Sequence, residues 1–411
     1  MISLEIKYLA SASEPVDFED FCSNKSELLL PFSDDSLLFI DALSKCLLCN
    51  PEFKKYPEMV ALGYWLRRSN IERLKHAVNA AFDSTGYIFR MPRGLVFHVA
   101  PSNVDTIFIY SLVISMLMGN KNLVRLSSKS SEQQKLILLV LNDAIKKLPD
   151  NKASNNLVVM TYPHDESTTQ FISSNCDARM LWGGNNTVNL FSSIPVSPTA
   201  IDIKFANKYS LAILCLETIS KFSADELQNL AKSFVNDCYL FGQQGCSSPR
   251  AVFWLGDFSE FEPVSSIFWQ AVRKELKSFV HGLSDSDFVE KLIFSCKHAI
   301  LNNSTLEESD SLLLSVLRTD LDGMFVYDDH CGRGVFLETH VLQLEEISPF
   351  LNREIQTLTY CGVEKSIMLD WLKNGVNGID RIVPVGQALN FDYIWDGLDL
   401  FASLSRIVTY K

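Results

Sequence analysis

Apolar and polar residues follow two rhythms along this chain. Between residues 95 and 182, short apolar runs at Leu95–Val99, Leu123–Leu126, Leu157–Tyr162 and Ala178–Trp182 alternate with longer stretches whose apolar positions recur at helical spacing. These stretches cover about Val104–Met118, Ser131–Lys147 and Glu166–Ser173. That alternation predicts parallel strands joined by crossover helices. From about Ile201 a second series begins, with a strand at Leu211–Leu216, a helix at Ala224–Cys238 and a strand at Arg250–Leu255. Two facing strands are expected around Gly323–Tyr327 and Gly334–Thr339, then further strands at Thr357–Gly362 and Arg381–Val385. The first 80 residues read as helices, including one over Pro57–Phe82, with polar turns near Ser33-Asp34-Asp35. The predicted fold class is α/β, with two doubly wound parallel-sheet domains at 85–203 and 204–375. Residues 1–84 form a helical part covering the first domain, and 376–411 a closing segment. With no repeat, low-complexity tract or long linker, the halves should pack intimately and hold an active site in the cleft between them.

Composition narrows the class. A chain of 411 residues, 47% hydrophobic and 21% charged, is long enough for two or three packed domains. A net charge of -12, with basic runs no longer than Arg67-Arg68 and Lys146-Lys147, argues against nucleic acid as a partner. The start Met1-Ile-Ser-Leu-Glu-Ile-Lys7 lacks the features of a secretory signal, so a cytoplasmic location is expected. The apolar stretch Thr106–Gly119 is flanked by Asp105 and Lys121 and falls short of the roughly 20 residues of a membrane span. It reads as a buried helix. Ten cysteines lack framework spacing. Cys46-Leu-Leu-Cys49 has no second ligand pair, so it reads as a helix face and no metal site is expected.

Candidate chemistry concentrates in two segments. Phe241-Gly-Gln-Gln-Gly-Cys246-Ser-Ser-Pro249 places one thiol among turn residues ahead of an apolar strand. Gly94-Leu-Val-Phe-His-Val-Ala-Pro-Ser-Asn103 is a buried strand that stops at Pro101 and delivers a carboxamide to a helix start. A nucleophilic Cys246 and an oxyanion donor at Asn103 are what acyl chemistry on a thioester needs. The plainer readings are an inert buried cysteine and an N-cap asparagine. Trp182-Gly-Gly-Asn-Asn186 ends a strand and opens a helix, where Gly183 and Gly184 would bring backbone N–H groups to a pyrophosphate or simply make a tight turn. His98, inside an apolar strand, reads as a satisfied core histidine, and no local signature ties His330 to a Cys–His dyad.

These segments carry a family resemblance. Pro101-Ser-Asn103 resembles the Pro-Trp-Asn turn of aldehyde dehydrogenases, and Gln244-Gly-Cys246 resembles their nucleophile loop. Within that superfamily the chain is similar to the bacterial long-chain acyl-CoA and acyl-protein thioester reductases, the reductase subunit of the fatty-acid reductase of luminescent bacteria. The stretches that carry this are Val96–Thr106, Gly119-Asn-Lys-Asn-Leu-Val-Arg-Leu-Ser-Ser128, the Cys246 loop, Gln356-Thr-Leu-Thr-Tyr360, and Arg381–Asn390 running into Trp395-Asp-Gly-Leu-Asp399. The likeness runs from about residue 85 to the C-terminus, and the first 80 residues match no named family.

The resemblance implies an aldehyde-dehydrogenase-like fold whose C-terminal segment packs back toward the cofactor domain. It further implies reduction of a fatty acyl thioester to the aldehyde through an acyl-Cys246 intermediate, with Asn103 holding the oxyanion. Arg125 and Ser128 fall where the dehydrogenases carry a Lys and a Glu at the adenosine ribose. A guanidinium and a hydroxyl there would accept a 2′-phosphate, so NADPH is expected as cofactor. Gln356 takes the place of a Glu directed at the nicotinamide ribose, and Gly183 and Gly184 that of a pyrophosphate turn. Lys204 stands in the slot of the Glu that activates water in the hydrolysing enzymes, which predicts slow hydrolysis of the acyl-cysteine. Implied partners are an acyl-protein synthetase and an acyltransferase, together with a possible homo-oligomer. Two alternatives are an acyl-phosphate reductase resembling glutamyl-phosphate reductase, and a non-redox acyl-transfer protein using the same cysteine.

Overall fold

A computed structural model describes residues 6–12, 16–24, 28–80, 88–101, 106–128, 131–163, 165–277, 284–311, 313–325 and 330–411. They divide into one unit of residues 1–206 with 391–411 and a second of 207–390.

The first unit is built on strands β1 (Lys7–Ser11), β2 (Ile88–Pro92), β3 (Leu95–Val99), β4 (Lys121–Arg125), β5 (Leu157–Thr161), β6 (Ala178–Trp182) and β7 (Ile201–Phe205). Six of them form one sheet in the order β1-β5-β4-β3-β6-β7. All neighbours pair in parallel except β1 with β5. Taken from β3 onward this is the doubly wound order 3-2-1-4-5, which reverses between β3 and β6. Every residue of β3 and β6 is buried, as parallel strands covered on both faces require. The crossover helix Ile107–Leu117 buries nine of its eleven residues, which is why its sequence is apolar all round. Helices Asp34–Cys49 and Pro57–Trp65 join its core through Leu43, Leu47, Met59 and Leu62.

Two local expectations for this unit change. The helix expected over Pro57–Phe82 breaks at Leu66-Arg67 into Pro57–Trp65 and Arg68–Ala80, because the Asn70 side chain takes the Trp65 carbonyl (2.7 Å) that a continuous helix would use. The closing segment starts at Phe391 rather than at 376. Its strand Ser405–Thr409 pairs antiparallel with β2, and the Arg93 side chain donates to the Ser403 and Ser405 carbonyls (2.7 and 2.8 Å).

The second unit contains β8 (Tyr209–Cys215), β9 (Pro249–Leu255), β10 (Thr305–Ser311), β11 (Leu314–Arg318), β12 (Val335–Val341), β13 (Ile355–Cys361) and β14 (Arg381–Pro384). They form one sheet in the order β10-β11-β12-β9-β8-β13-β14, antiparallel only at β10. β14 therefore ties residues 381–384 to this unit. No strand forms at Gly323: Asp322–Met324 is a short 3-10 turn whose Gly323 N–H is held by the Asp320 carboxylate (3.1 Å). Residues 326–329 lie outside the described residues, and the neighbour of β12 is instead β11, in parallel. One core position is a carboxylate. Glu338 is fully buried and accepts from the indoles of Trp254 (2.9 Å) and Trp269 (2.8 Å) and from Arg318 (3.0 Å), which satisfies a group that would otherwise be costly inside.

Candidate active site

In the first unit the expected cofactor residues gather at the C-terminal ends of the strands. The Ala100 N–H, just past β3, donates to the Arg125 carbonyl at the end of β4 (3.0 Å). The Arg125 guanidinium lies 4.7 Å from the Tyr162 ring centroid and 5.8 Å from that of Phe191. Its Nε is buried without an acceptor. Ser128 is exposed three residues further on. Past β6, the Gly183 N–H donates to the Phe205 carbonyl (3.1 Å), and Gly184 is the N-cap of helix Asn185–Ser193, with no side chain capping the helix. An uncapped helix start after β6, beside the point where strand order reverses, and a partly buried guanidinium at the end of the neighbouring β4 fit a dinucleotide. Asn103 lies outside the described residues.

His98 is a core histidine, as its strand suggests, but only one ring nitrogen is satisfied: its Nδ1 is buried without a hydrogen-bond partner among the described residues. The Asn122 amide N–H donates to the Asn120 carbonyl (2.9 Å), so its Oδ1 faces His98 Nε2 (3.0 Å), which must carry the proton. Burial lowers the His98 pKa to about 4, and the ring stays neutral. Lys204 is half exposed on β7, 4.0 Å from Asp202.

In the second unit, Cys246 sits at the opposite end of the strands, in a turn directly before β9. Three of the ten cysteines are exposed, Cys49, Cys246 and Cys296. The other two belong to helices, and only Cys246 lies in a turn at a sheet edge. Burial pushes the thiols of Cys331 and Cys361 up to about 11 and that of Cys238 well above its ordinary range, which makes them poor nucleophiles.

Side chains hold the turn in place. Gln243 is fully buried in the left-handed region (φ 61°). It donates to the carbonyls of Pro249 (2.9 Å) and Val335 (3.0 Å) and accepts from the Gly334 N–H (2.8 Å). Gln244 donates to the Cys331 carbonyl (2.9 Å). A Cβ at Gly332 would stand 2.5 Å from Gln244 Nε2, so this close approach needs a glycine. The Ser248 hydroxyl donates to the Asp237 carbonyl (2.8 Å), while the Asp237 carboxylate accepts from the N–H groups of Gly386 (2.6 Å) and Ala388 (2.9 Å). Burial raises the Asp237 carboxyl to about 6.

Gln356 comes to the same edge as Cys246. The Ser210 hydroxyl donates to the Cys246 carbonyl (2.6 Å) and accepts from the Thr357 N–H (3.1 Å). Gln356 itself is 2% exposed, and its Oε1 accepts from the Thr357 hydroxyl (3.4 Å). His330 is buried nearby, its Nδ1 accepting from the Gly332 N–H (3.0 Å). Burial, then the charges of Arg250 and His298, hold it well below the ordinary histidine range. Sequence reasoning missed Gln243, Ser210 and Asp237. The one local hint was a pair of glutamines inside a glycine-flanked turn.

The model of the acyl-CoA reductase (LuxC) family matches residues 62–410. The long-chain acyl-protein thioester reductase of Aliivibrio fischeri is 25% identical over 312 residues, which cover 73% of this chain and 60% of that protein. That of Photorhabdus laumondii is 25% identical over 333 residues, covering 79% of this chain and 64% of that protein. The chain thus spans less than two thirds of the length of these relatives. Among solved structures, an aldehyde dehydrogenase from Bartonella henselae superposes with a TM-score of 0.67 at 12% identity, covering 100% of this chain and 97% of that one. Aldehyde dehydrogenase 21 from Physcomitrella patens gives 0.67 at 11%, covering 95% and 89%. At such identities the likeness shows the fold, which is that of the aldehyde dehydrogenases.

Proposed function

The chain belongs to the acyl-CoA reductase (LuxC) family, and from that premise we propose that it takes a long-chain fatty acyl group from a thioester onto Cys246 and reduces it to the aldehyde with NADPH. The Cys246 thiolate attacks the carbonyl carbon, the bond to the carrier sulfur breaks, and the carrier leaves as a thiolate that takes up a proton. Exchange of one thioester for another is nearly isoenergetic, so the protein need only stabilise the oxyanion between them. Asn103 is the proposed side-chain donor for that oxyanion, on the strength of its sequence motif, and the Cys246 backbone N–H is the other. A bound reduced nicotinamide would supply the hydride that reduces the acyl carbon. The Cys246–carbon bond then breaks, releasing aldehyde and regenerating the thiolate.

Arg125 and Ser128 are the proposed contacts to a 2′-phosphate, Gly183 and Gly184 to the pyrophosphate, and Gln356 to the nicotinamide ribose. A buried Nε without an acceptor at Arg125 supports NADPH, since a phosphate would satisfy it. The donor is proposed to be acyl-CoA or an acyl-loaded partner protein, in keeping with the relatives' names.

The observation that carries the reading is the exposed thiol of Cys246 in a turn pinned by Gln243, Gln244 and Ser210. Decay of NADPH absorbance with acyl-CoA substrates of increasing chain length tests it. Decay should depend on both acyl-CoA and Cys246, falling at least about 1,000-fold in Cys246→Ala. Full activity in that variant would refute the covalent route. Acyl transfer to an added thiol without any nicotinamide would favour the non-redox alternative.

A further inference from the structure

Ser210 lies where both neighbours of β8 slip out of register. Against β13, Tyr209 pairs with Ile355 but Leu211 with Leu358, so β13 carries one extra residue there. Against β9, Ser210 pairs with Pro249 but Leu211 with Ala251, so β9 does the same. Bulges of this kind break the ladder locally and re-aim groups beside functional sites. On β13 the displaced residues are Gln356 and Thr357, and the Thr357 N–H goes to a side chain, the Ser210 hydroxyl (3.1 Å).

That bond decides where the hydroxyl points. A serine hydroxyl has one proton and two lone pairs. With one lone pair held by the Thr357 N–H, the proton goes to the Cys246 carbonyl at 2.6 Å, and Ser210 is fully buried, so water does not compete for it. Both peptide groups that flank Cys246 are thereby fixed. The Gly245 carbonyl accepts from the Ser248 N–H (3.0 Å), and because a trans peptide sets its N–H opposite its C=O, the Cys246 N–H faces the other way. The first restraint belongs to the turn itself, whereas the second comes from a side chain on another strand. Together they set both backbone dihedrals of Cys246, and so the angle between its Cα–Cβ bond and its N–H.

We infer that Ser210 is a positioning residue for acyl transfer: its hydroxyl holds the Cys246 thiol and the Cys246 N–H at the angle at which sulfur attack places the developing oxyanion on that N–H. The inference rests on the acyl-Cys246 chemistry proposed above. Ser210 neither gains nor loses a proton in the step. Its effect comes through geometry, since an oxyanion donor counts only when aimed at the place the oxyanion will occupy.

Two reactions of Cys246, both run without nicotinamide, separate this role from a purely structural one. Acylation by a long-chain acyl-CoA passes through an oxyanion, and alkylation by iodoacetamide does not. Each is followed by mass spectrometry of the Cys246 peptide. In Ser210→Ala, acylation should slow about 10- to 100-fold, while alkylation stays within about 2-fold of wild type from about pH 6 to about 9. Ser210→Cys keeps the volume but offers only a weak, longer S–H bond, so it gives the same split should the alanine variant not fold. Ser210→Thr keeps the hydroxyl and should bring acylation back to within about 5-fold of wild type. Acylation at the wild-type rate in a folded Ala or Cys variant, or equal losses of acylation and alkylation, would overturn the proposal. Wild type that is alkylated but never acylated would instead sink the acyl-Cys246 reading, and the inference with it.

Discussion

The two α/β units place their candidate groups at opposite ends of their strands and hold them by different means. In the first unit Arg125, Gly183 and Gly184 stand at the C-terminal ends, where an open parallel sheet turns its helix N-termini toward a ligand. Backbone polarity does most of the work there, and Gly184 starts its helix without any side-chain cap. In the second unit Cys246, Ser210 and Gln356 lie at the N-terminal ends of β9, β8 and β13. Among the described residues no helix starts converge on that edge, so side chains build the site, and Gln243 alone serves two carbonyls and one N–H. The first arrangement is a consequence of the fold, whereas the second depends on particular residues.

The largest expected effect tests that dependence. Gln243→Ala removes the side-chain partner of the Val335 carbonyl and of the Gly334 N–H and leaves the Pro249 carbonyl with only the Cys238 thiol (3.8 Å), at roughly 1–3 kcal/mol for each group, so a loss of about 4 kcal/mol and a fall of roughly 10 °C in unfolding temperature are expected. A fall of less than about 2 °C would show that the turn does not rely on this side chain.

A smaller effect separates the units by pH. Burial raises Asp237 from 3.8 to about 6, so the folded second unit binds a proton that the unfolded chain releases. Its contribution is present below about pH 4 and is lost as pH rises through about 6, up to about 3 kcal/mol. His98 in the first unit runs the other way. Its pKa is lowered from 6.5 to about 4, so stability is present above about 6.5 and is lost as pH falls toward 4, by a similar amount. Denaturant titrations from pH 4 to 7 should show a flatter acid dependence in His98→Gln and a steeper one in Asp237→Asn. The same slope in both variants and wild type would remove the contrast.

The smallest effect concerns the cofactor end. Arg125→Ala should cost about 1.5–3 kcal/mol of NADPH binding, a 10- to 100-fold rise in its KM, and leave NADH nearly unaffected. Equal losses for both cofactors would show that Arg125 does not read the 2′-phosphate.

How much of this could be read from sequence follows from the same contrast. β3 and β6 match their expected spans because a strand buried on both faces must be apolar at every position. β1 was missed because Lys7-Tyr-Leu-Ala-Ser11 is a short edge strand that exists through its antiparallel pairing with β5. The Cys246 turn announced itself through Gly242 and Gly245, but the left-handed Gln243 and its three partners carry no local signal, since those partners lie as far away as Val335. The sequence pattern places a strand at Gly323 rather than at β11 because it does not show that the Asp320 side chain closes the Gly323 segment into a turn.

The most direct test of the central claim is mass spectrometry of the protein mixed with a long-chain acyl-CoA, first without and then with NADPH. The account predicts one acyl group per chain, located on the Cys246 peptide, that disappears as aldehyde forms when NADPH is added. An acyl group on any other residue, or aldehyde formation with Cys246 never acylated, would contradict it.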